Sequence, residues 1–213
     1  MSLCGLVTSL TWLGQLMKWV KLSSKMMKLR FMPCEPWYIE QYCHGSCCRS
    51  SVHKDGISVV IHKNDRAKYV QGLKYVVDEY KGEPVLDGFL MAKSKRCPFQ
   101  EKLGLCKIHP KKPFGCITSP FTLNHNDTLI VRNRYKLLKC FRDAKKQDVW
   151  SKVNDTLPKP AYENFYPSLQ ELFGMMTARR IYEHFDKNGD DMTMSMDDST
   201  YQMLKDNDNA RRL

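Results

Sequence analysis

The chain contains no run of 18 or more apolar residues, so a full transmembrane helix is not expected. It also lacks Gly-x-Gly-x-x-Gly, a phosphate-binding P-loop and Gly-x-Ser-x-Gly. Nucleotide binding and triad hydrolysis therefore have no support in the sequence. No glycine-rich loop suits S-adenosylmethionine. Eleven Gly and 10 Pro among 213 residues are too few for a low-complexity or collagen-like chain. Acidic residues are in deficit: 34 Lys and Arg face 23 Asp and Glu, a formal net charge of +11. That excludes an acidic solvating protein and favours contact with polyanions, either nucleic acid or a membrane surface. Length and composition fit one globular domain with appendages.

What the chain does have is nine cysteines: Cys4, Cys34, Cys43, Cys47, Cys48, Cys97, Cys106, Cys116 and Cys140. Eight lie between positions 34 and 140, in two main knots, and an odd total cannot pair wholly within the chain. A secretory signal needs basic residues before its apolar core, whereas the first lysine here is Lys18. The expected compartment is thus the reducing cytoplasm, where clustered cysteines read as metal ligands rather than disulfides. A small core residue is an adequate account of Cys4 and Cys140. It is a poor one for the adjacent pair Cys47-Cys48, whose side chains diverge unless a common centre or a sharp turn gathers them.

Three segments are expected. Over 1–30, Leu6, Leu10, Leu13, Met17 and Val20 recur at spacings of four and three, followed by Lys18, Lys21, Lys25 and Lys28. The pattern predicts an amphipathic helix with a basic end, laid over the domain core or against a membrane surface or polyanion. Residues 31–140 form the cysteine-cluster domain, with short strands at 57–61, 89–91 and 128–132 and helices at about 64–80 and 135–149. Residues 141–213 form a helical extension, with a helix at about 168–186 and a polar, frayed tail. The fold class is α+β: a small, loop-rich, metal-centred domain with a few short strands and flanking helices. So loop-rich a centre would bury little core without its ion, and metal release is expected to unfold it.

The first knot runs from Cys34 through Cys43-His-Gly-Ser-Cys47-Cys48-Arg49, and the second from Cys97-Pro-Phe through Cys106-Lys-Ile-His109 to Pro113-Phe-Gly-Cys116. A soft metal centre takes thiolates at ~2.3 Å, usually four around one tetrahedral ion. Gly45 lets the backbone curl so that Cys43 and Cys47 converge. Basic neighbours (Arg49, Lys95, Arg96, Lys107, Lys111, Lys112) lower thiol pKa values and offset a multi-thiolate site, so part of the +11 is local compensation.

At these residues the chain resembles the zinc- or iron-chelating cysteine-cluster family, to which flagellin lysine N-methylase is also assigned. Cys43-His-Gly-Ser-Cys47-Cys48-Arg49 is similar to the end of its CxxCxxCC motif, with one extra residue. Cys97-Pro98-Phe99, Cys106-Lys107-Ile108-His109, Pro113-Phe114-Gly115-Cys116 and Pro120-Phe121 match its second motif in order. Here Cys34 lies farther ahead of Cys43 than is usual, His109 stands for Tyr, and Lys112 stands for Arg. The resemblance spans about residues 31–121 and implies zinc or an iron–sulfur cluster, with Cys43, Cys47, Cys48, Cys97, Cys106 and Cys116 as ligands and Cys34 and Cys140 in reserve. Eight thiolates would serve two centres of four, or one centre and spare cysteines. Spacing alone does not separate the two metals.

Three functions follow. The first is a cytosolic metal- or cluster-binding protein. The second is a metal-dependent protein-modifying enzyme such as a lysine N-methyltransferase, acting on a protein substrate or partner. The third is a basic zinc-stabilised module for nucleic acid or a protein partner. Asp186 to Asp197 has oxygen ligands spaced like a calcium loop, but it offers Asp191 where Gly belongs and Asp197 where Glu belongs. A helix-ending turn at Gly189 is the better account. The basic run from Arg132 to Lys146 reads equally as a phosphate-tracking face or a solvated one.

Overall fold

The computed structural model describes residues 16–48, 57–62, 83–86, 89–94, 97, 99–108, 112–146 and 157–210. In chain order its regular elements are β1 (Met17–Leu22), α1 (Ser24–Met27), β2 (Arg30–Phe31), α2 (Pro36–Tyr38), β3 (Ile57–His62), β4 (Glu83–Leu86) and β5 (Phe89–Ser94). There follow α3 (Phe114–Ile117), β6 (Phe121–Leu123), β7 (Thr128–Val131), α4 (Lys139–Ala144), β8 (Lys159–Pro160) and α5 (Ala161–Asn164). The chain then runs through α6 (Tyr166–Phe173), α7 (Met175–Asp186), β9 (Met192–Asp197) and α8 (Asp198–Ala210). The class is α+β. The strands expected at 57–61, 89–91 and 128–132 are β3, β5 and β7, while the helix expected at 64–80 lies outside the described residues.

The principal sheet has the order β6-β7-β1-β9. β6 and β7 form an antiparallel hairpin, β1 joins β7 in parallel with Lys21 opposite Thr128, and β9 runs antiparallel to β1 from Met17↔Asp197 to Leu22↔Met192. A second, antiparallel sheet has the order β3-β5-β4, and β2 pairs with β8.

This overturns the helix expected over 1–30 for its described part. From Trp19 to Leu22 exposed and buried residues alternate, with Val20 and Leu22 fully buried. That period of two belongs to a strand. Spacings of three and four among Met17, Val20 and the upstream leucines resemble a helical stripe, but backbone partners on both edges decide in favour of sheet. Residues 1–15 lie outside the described residues.

The tail expected to fray is regular structure over most of its described part, in β9 and α8. β9 completes the sheet and α8 packs against β6 and β9, burying Met196 and Leu204. The helix expected at 168–186 is two, α6 and α7, split at Gly174 (φ +75). The one expected at 135–149 is a 3₁₀ turn at Asn133–Leu137 followed by α4, because Leu138 is extended.

One hydrophobic core joins Val20 and Leu22, Phe31, Phe121, Leu129 and Val131, Leu169 and Leu172, Ile181 and Phe185, and Leu204. It draws on all three segments of the chain. Phe31 packs at 5.1 Å edge-on to Phe165 and at 5.2 Å against Phe141, holding β2 beside the C-terminal helices. The core of the described residues is therefore apolar; of the cysteines, Cys140 belongs to it and Cys43 packs against it.

The residues resembling a calcium loop have other tasks. Asp191 accepts the Ser24 backbone N–H at 2.7 Å and pairs with Lys21 at 2.9 Å. Asp197 accepts the Thr200 N–H at 2.8 Å, starting α8. Nor is the basic run one cationic face: Arg132 is buried and Lys139 pairs with Asp143 at 2.8 Å.

Candidate metal centre

Pro36 opens α2 at its first turn, where a missing N–H costs nothing. A wider turn over Ile39–Cys43 continues it and ends at His44, whose backbone is left-handed (φ 48°, ψ 35°). Gly45 follows, also left-handed (φ +59°). Two such residues in succession reverse the chain sharply into the 3₁₀ turn Ser46–Cys48, closed by Cys48 N–H to Gly45 O at 2.8 Å. This turn gathers the first knot: the Sγ atoms of Cys47 and Cys48 lie 3.8 Å apart.

The second knot is a narrow loop. Lys107 N–H bonds to Phe99 O at 2.8 Å, Glu101 N–H bonds to Leu105 O at 2.8 Å, and Gln100 forms a bridge opposite Cys106. The chain thus returns Cys106 towards Cys97. Two features dock this loop on the first knot. Buried Gln100 donates from Nε2 to His44 O (3.1 Å), Gly45 O (2.9 Å) and Gly104 O (3.2 Å). Gly45 and Gly104 also approach so closely that a Cβ on Gly45 would stand 2.3 Å from Gly104 O, and one on Gly104 2.3 Å from His44 C. Beside them, Cys97 N–H donates to Cys48 O at 3.2 Å.

Cys116 rides on α3, which brings it within electrostatic reach of Cys48. Cys140 sits on α4, buried, and its carbonyl accepts the Met32 N–H at 3.0 Å. That bond holds the strand leading to Cys34 against α4. A second tie is Tyr38 Oη–H to Asp143 Oδ2 at 2.8 Å, deep in the structure, which fastens α2 to the same helix. Tyr38 and Tyr42 stack at 5.8 Å beside it, with Trp37 edge-on to both.

The eight described cysteines are all free thiols. Only Cys140 is buried; Cys34 and Cys47 are exposed, and the others are half-buried. Desolvation by surrounding protein, then Cys47 and Cys43, push the Cys34 thiol up to about 12, opposed by Lys112. Burial also raises Cys43 and Cys106, and raises Cys140 well above the ordinary thiol range, with Cys34, Cys47 and Cys43 adding to it. Cys47 goes the other way, to about 7. The hydrogen bond from Cys48 contributes most, burial opposes it, and Lys112 and Arg134 assist. Cys48 is raised well above the ordinary thiol range, by its hydrogen bond with Cys47 first and that with Cys97 second.

Every cysteine expected as a ligand from the sequence thus lies in one neighbourhood, and the two reserves, Cys34 and Cys140, lie there too. Cys4 and His109 fall outside the described residues. Among the described residues no group of three or more His, Cys, Asp or Glu side chains stands together at metal-binding spacing. The thiols are neighbours, not a closed coordination shell. The sequence did not single out Gln100, Tyr38 or Asp143. An isolated glutamine between cysteines carries no signal of its own, nor does a lone aspartate within a basic run. No family model matches this chain, nor does any curated protein or solved structure, so its function must be argued from these thiols.

Proposed function

We propose that this protein binds metal, holding zinc or an iron–sulfur cluster through thiolates drawn from Cys34, Cys43, Cys47, Cys48, Cys97, Cys106, Cys116 and Cys140. One observation carries the reading: free thiols from four separate stretches of chain stand within electrostatic reach of one another, with Cys47 in reach of Cys34, Cys43, Cys48, Cys106 and Cys140. Cysteines that merely fill a core are buried and scattered. Seven of these are not buried, and they are gathered.

The donor set suits a soft cation. Zinc–sulfur bonds of ~2.3 Å in a tetrahedron put two thiolates about 3.8 Å apart, which is the separation of Cys47 and Cys48 Sγ. Cys34, Cys43, Cys106 and Cys140 are held protonated chiefly by desolvation, and a cation stabilises the thiolate form against that cost. Lys112 and Arg134 beside Cys47 offset the negative charge of a multi-thiolate site. The ordered likeness of both knots to the zinc- or iron-chelating cysteine-cluster family points the same way. Zinc bound here would cross-link the loops, and a cluster would add one-electron chemistry.

The test is elemental analysis of protein purified without oxygen, with its absorption spectrum. Zinc without colour, or iron with labile sulfide and a broad band near ~400 nm, is the expected result. Metal-free protein with all nine thiols still titratable, after expression with both metals supplied, would overturn the reading.

A further inference from the structure

Ion pairs are unevenly spread over the described surface. Lys159 meets Glu163 at 3.1 Å and Arg179 meets Glu183 at 2.8 Å, while Lys18, Lys21 and Lys205 find carboxylates on other elements. The stretch 132–146 differs. It carries seven cations and a single acid, Asp143. That acid is buried, where it takes the Tyr38 hydroxyl and the Lys139 ammonium, each at 2.8 Å. The stretch therefore presents to solvent positive charge alone.

Arg132 is withdrawn into the interior, and Arg134 acts on the Cys47 thiol. What remains outside is Lys136, half-exposed, with Arg142, Lys145 and Lys146, all exposed. None of these four forms an ion pair among the described residues. Arg142, Lys145 and Lys146 issue from one turn at the end of α4, closed by Lys145 N–H to Arg142 O at 3.3 Å and Lys146 N–H to Asp143 O at 2.8 Å. Lys145 Nζ stands 4.9 Å over the Phe141 ring, which packs in turn on Phe31. A ring holds an ammonium in position without neutralising it. Like charges one turn apart repel, and the chain supplies them no exposed carboxylate.

We propose that this turn, Arg142, Lys145 and Lys146 with Lys136 before it, is a nucleic-acid contact that grips the phosphate backbone. The inference goes beyond metal binding and does not depend on it. Arg142 offers a planar fork that takes two phosphate oxygens, and the lysines act as point charges beside it. Contacts of this kind hold a strand without reading its bases. An anionic membrane takes apolar side chains alongside the cations, whereas Leu137 is the one exposed large apolar residue of the stretch.

The test is fluorescence anisotropy with labelled oligonucleotides of mixed sequence, one a single-stranded RNA and one a DNA duplex, over a range of salt. The triple variant Arg142→Gln/Lys145→Gln/Lys146→Gln is compared with wild type. A second triple, Lys25→Gln/Arg180→Gln/Lys187→Gln, removes the same charge from exposed positions elsewhere, and Lys145→Arg/Lys146→Arg keeps the charge in place. Circular dichroism checks that each variant is folded. The expected result is salt-dependent binding by wild type that weakens about tenfold or more in the first triple. Its salt slope on RNA should be shallower by ~2, three contacts at ~0.7 each. The second triple should bind within about twofold of wild type, and the arginine pair should bind as wild type does. Equal losses in the two triples would mean that net charge alone attracts the strand, and would overturn the inference. So would no binding by wild type, or tighter binding to phosphatidylserine vesicles than to either oligonucleotide.

Discussion

Gly45 and Gly104 are positions where a single methyl group decides whether the two cysteine stretches can meet. Both have positive φ, and an added Cβ would overlap backbone atoms of the opposite loop. Gly174, by contrast, has positive φ but open space around its Cβ position. Backbone strain alone costs about 1–3 kcal/mol, and overlap adds to it at the first two sites. Gly45→Ala and Gly104→Ala should therefore lower stability more than Gly174→Ala, as read from urea unfolding midpoints. Gln100→Ala leaves three carbonyl oxygens without their shared donor and should cost about 1–3 kcal/mol.

The thiols also differ in reactivity. In reduced, metal-stripped protein, Cys47, exposed and titrating at about 7, should be alkylated by iodoacetamide first, and buried Cys140 last. Peptide mapping over time checks the order, and equal rates at the two sites would contradict it. These residue roles were half legible. Cysteine spacing named the thiols because metal ligation leaves a compositional trace. The glutamine that staples the loops, and the tyrosine–aspartate bond that aligns α2 with α4, act through contacts between residues 105 apart or between a side chain and distant carbonyls, for which a linear pattern holds no sign.

Among the elements, β1 carries two conflicting patterns. Its alternation of Trp19, Val20, Lys21 and Leu22 was present in the sequence, yet the leucine spacing upstream argued for a helix. Only pairing with β7 and β9 resolves the conflict. β9 itself is methionine-rich and polar, without β-branched density, so it reads as a tail until β1 is available to complete it. The expected consequence is that removing residues 187–213 unfolds the sheet, because it uncovers the whole length of β1 and takes away Met196 and Leu204 from the core. Circular dichroism and thermal unfolding of the truncated chain read this.

In the β6–β7 turn, Asp127 is held below the usual carboxylate range, chiefly by its hydrogen bond from Lys205 and also by that from Tyr201, both on α8. A depressed folded pKa gives stability that is complete above the unfolded value, about 3.9, and is lost as pH falls through the folded one. The pair is partly exposed, so the effect is about 0.5 kcal/mol. Asp127→Asn keeps a residue tolerant of the positive φ found there. Its deficit against wild type should be present at pH 6 and vanish by about pH 2.

For the whole molecule, the apolar core and the cysteine region are separable. The loop-rich composition of residues 31–121 led to the expectation that the fold depends on its ion. The core instead runs from Val20 to Leu204 and takes in Cys140, with Cys43 packed against it, while the remaining described cysteines lie outside it. Chelation should therefore open the 43–48 and 97–116 loops to protease while most of the helical circular dichroism survives. Coincident loss of helix and loops would show that the metal supports the entire fold. Lys18, Lys21, Lys139, Lys159, Arg179 and Lys205 each face a carboxylate, which removes equal numbers of each sign and leaves the excess of +11 on other residues.

The parallel seam between β1 and β7, closed on its other side by β9, also bears on how the protein is born. A ribosome delivers β1 before the β6–β7 hairpin and β9 after it. The hairpin can zip as soon as it emerges, but the strand made first must wait with one edge unpaired until β9 has left the exit tunnel. For that interval the nascent chain presents a sticky, half-finished edge, and its safe passage depends on how quickly β9 follows or on a chaperone standing by.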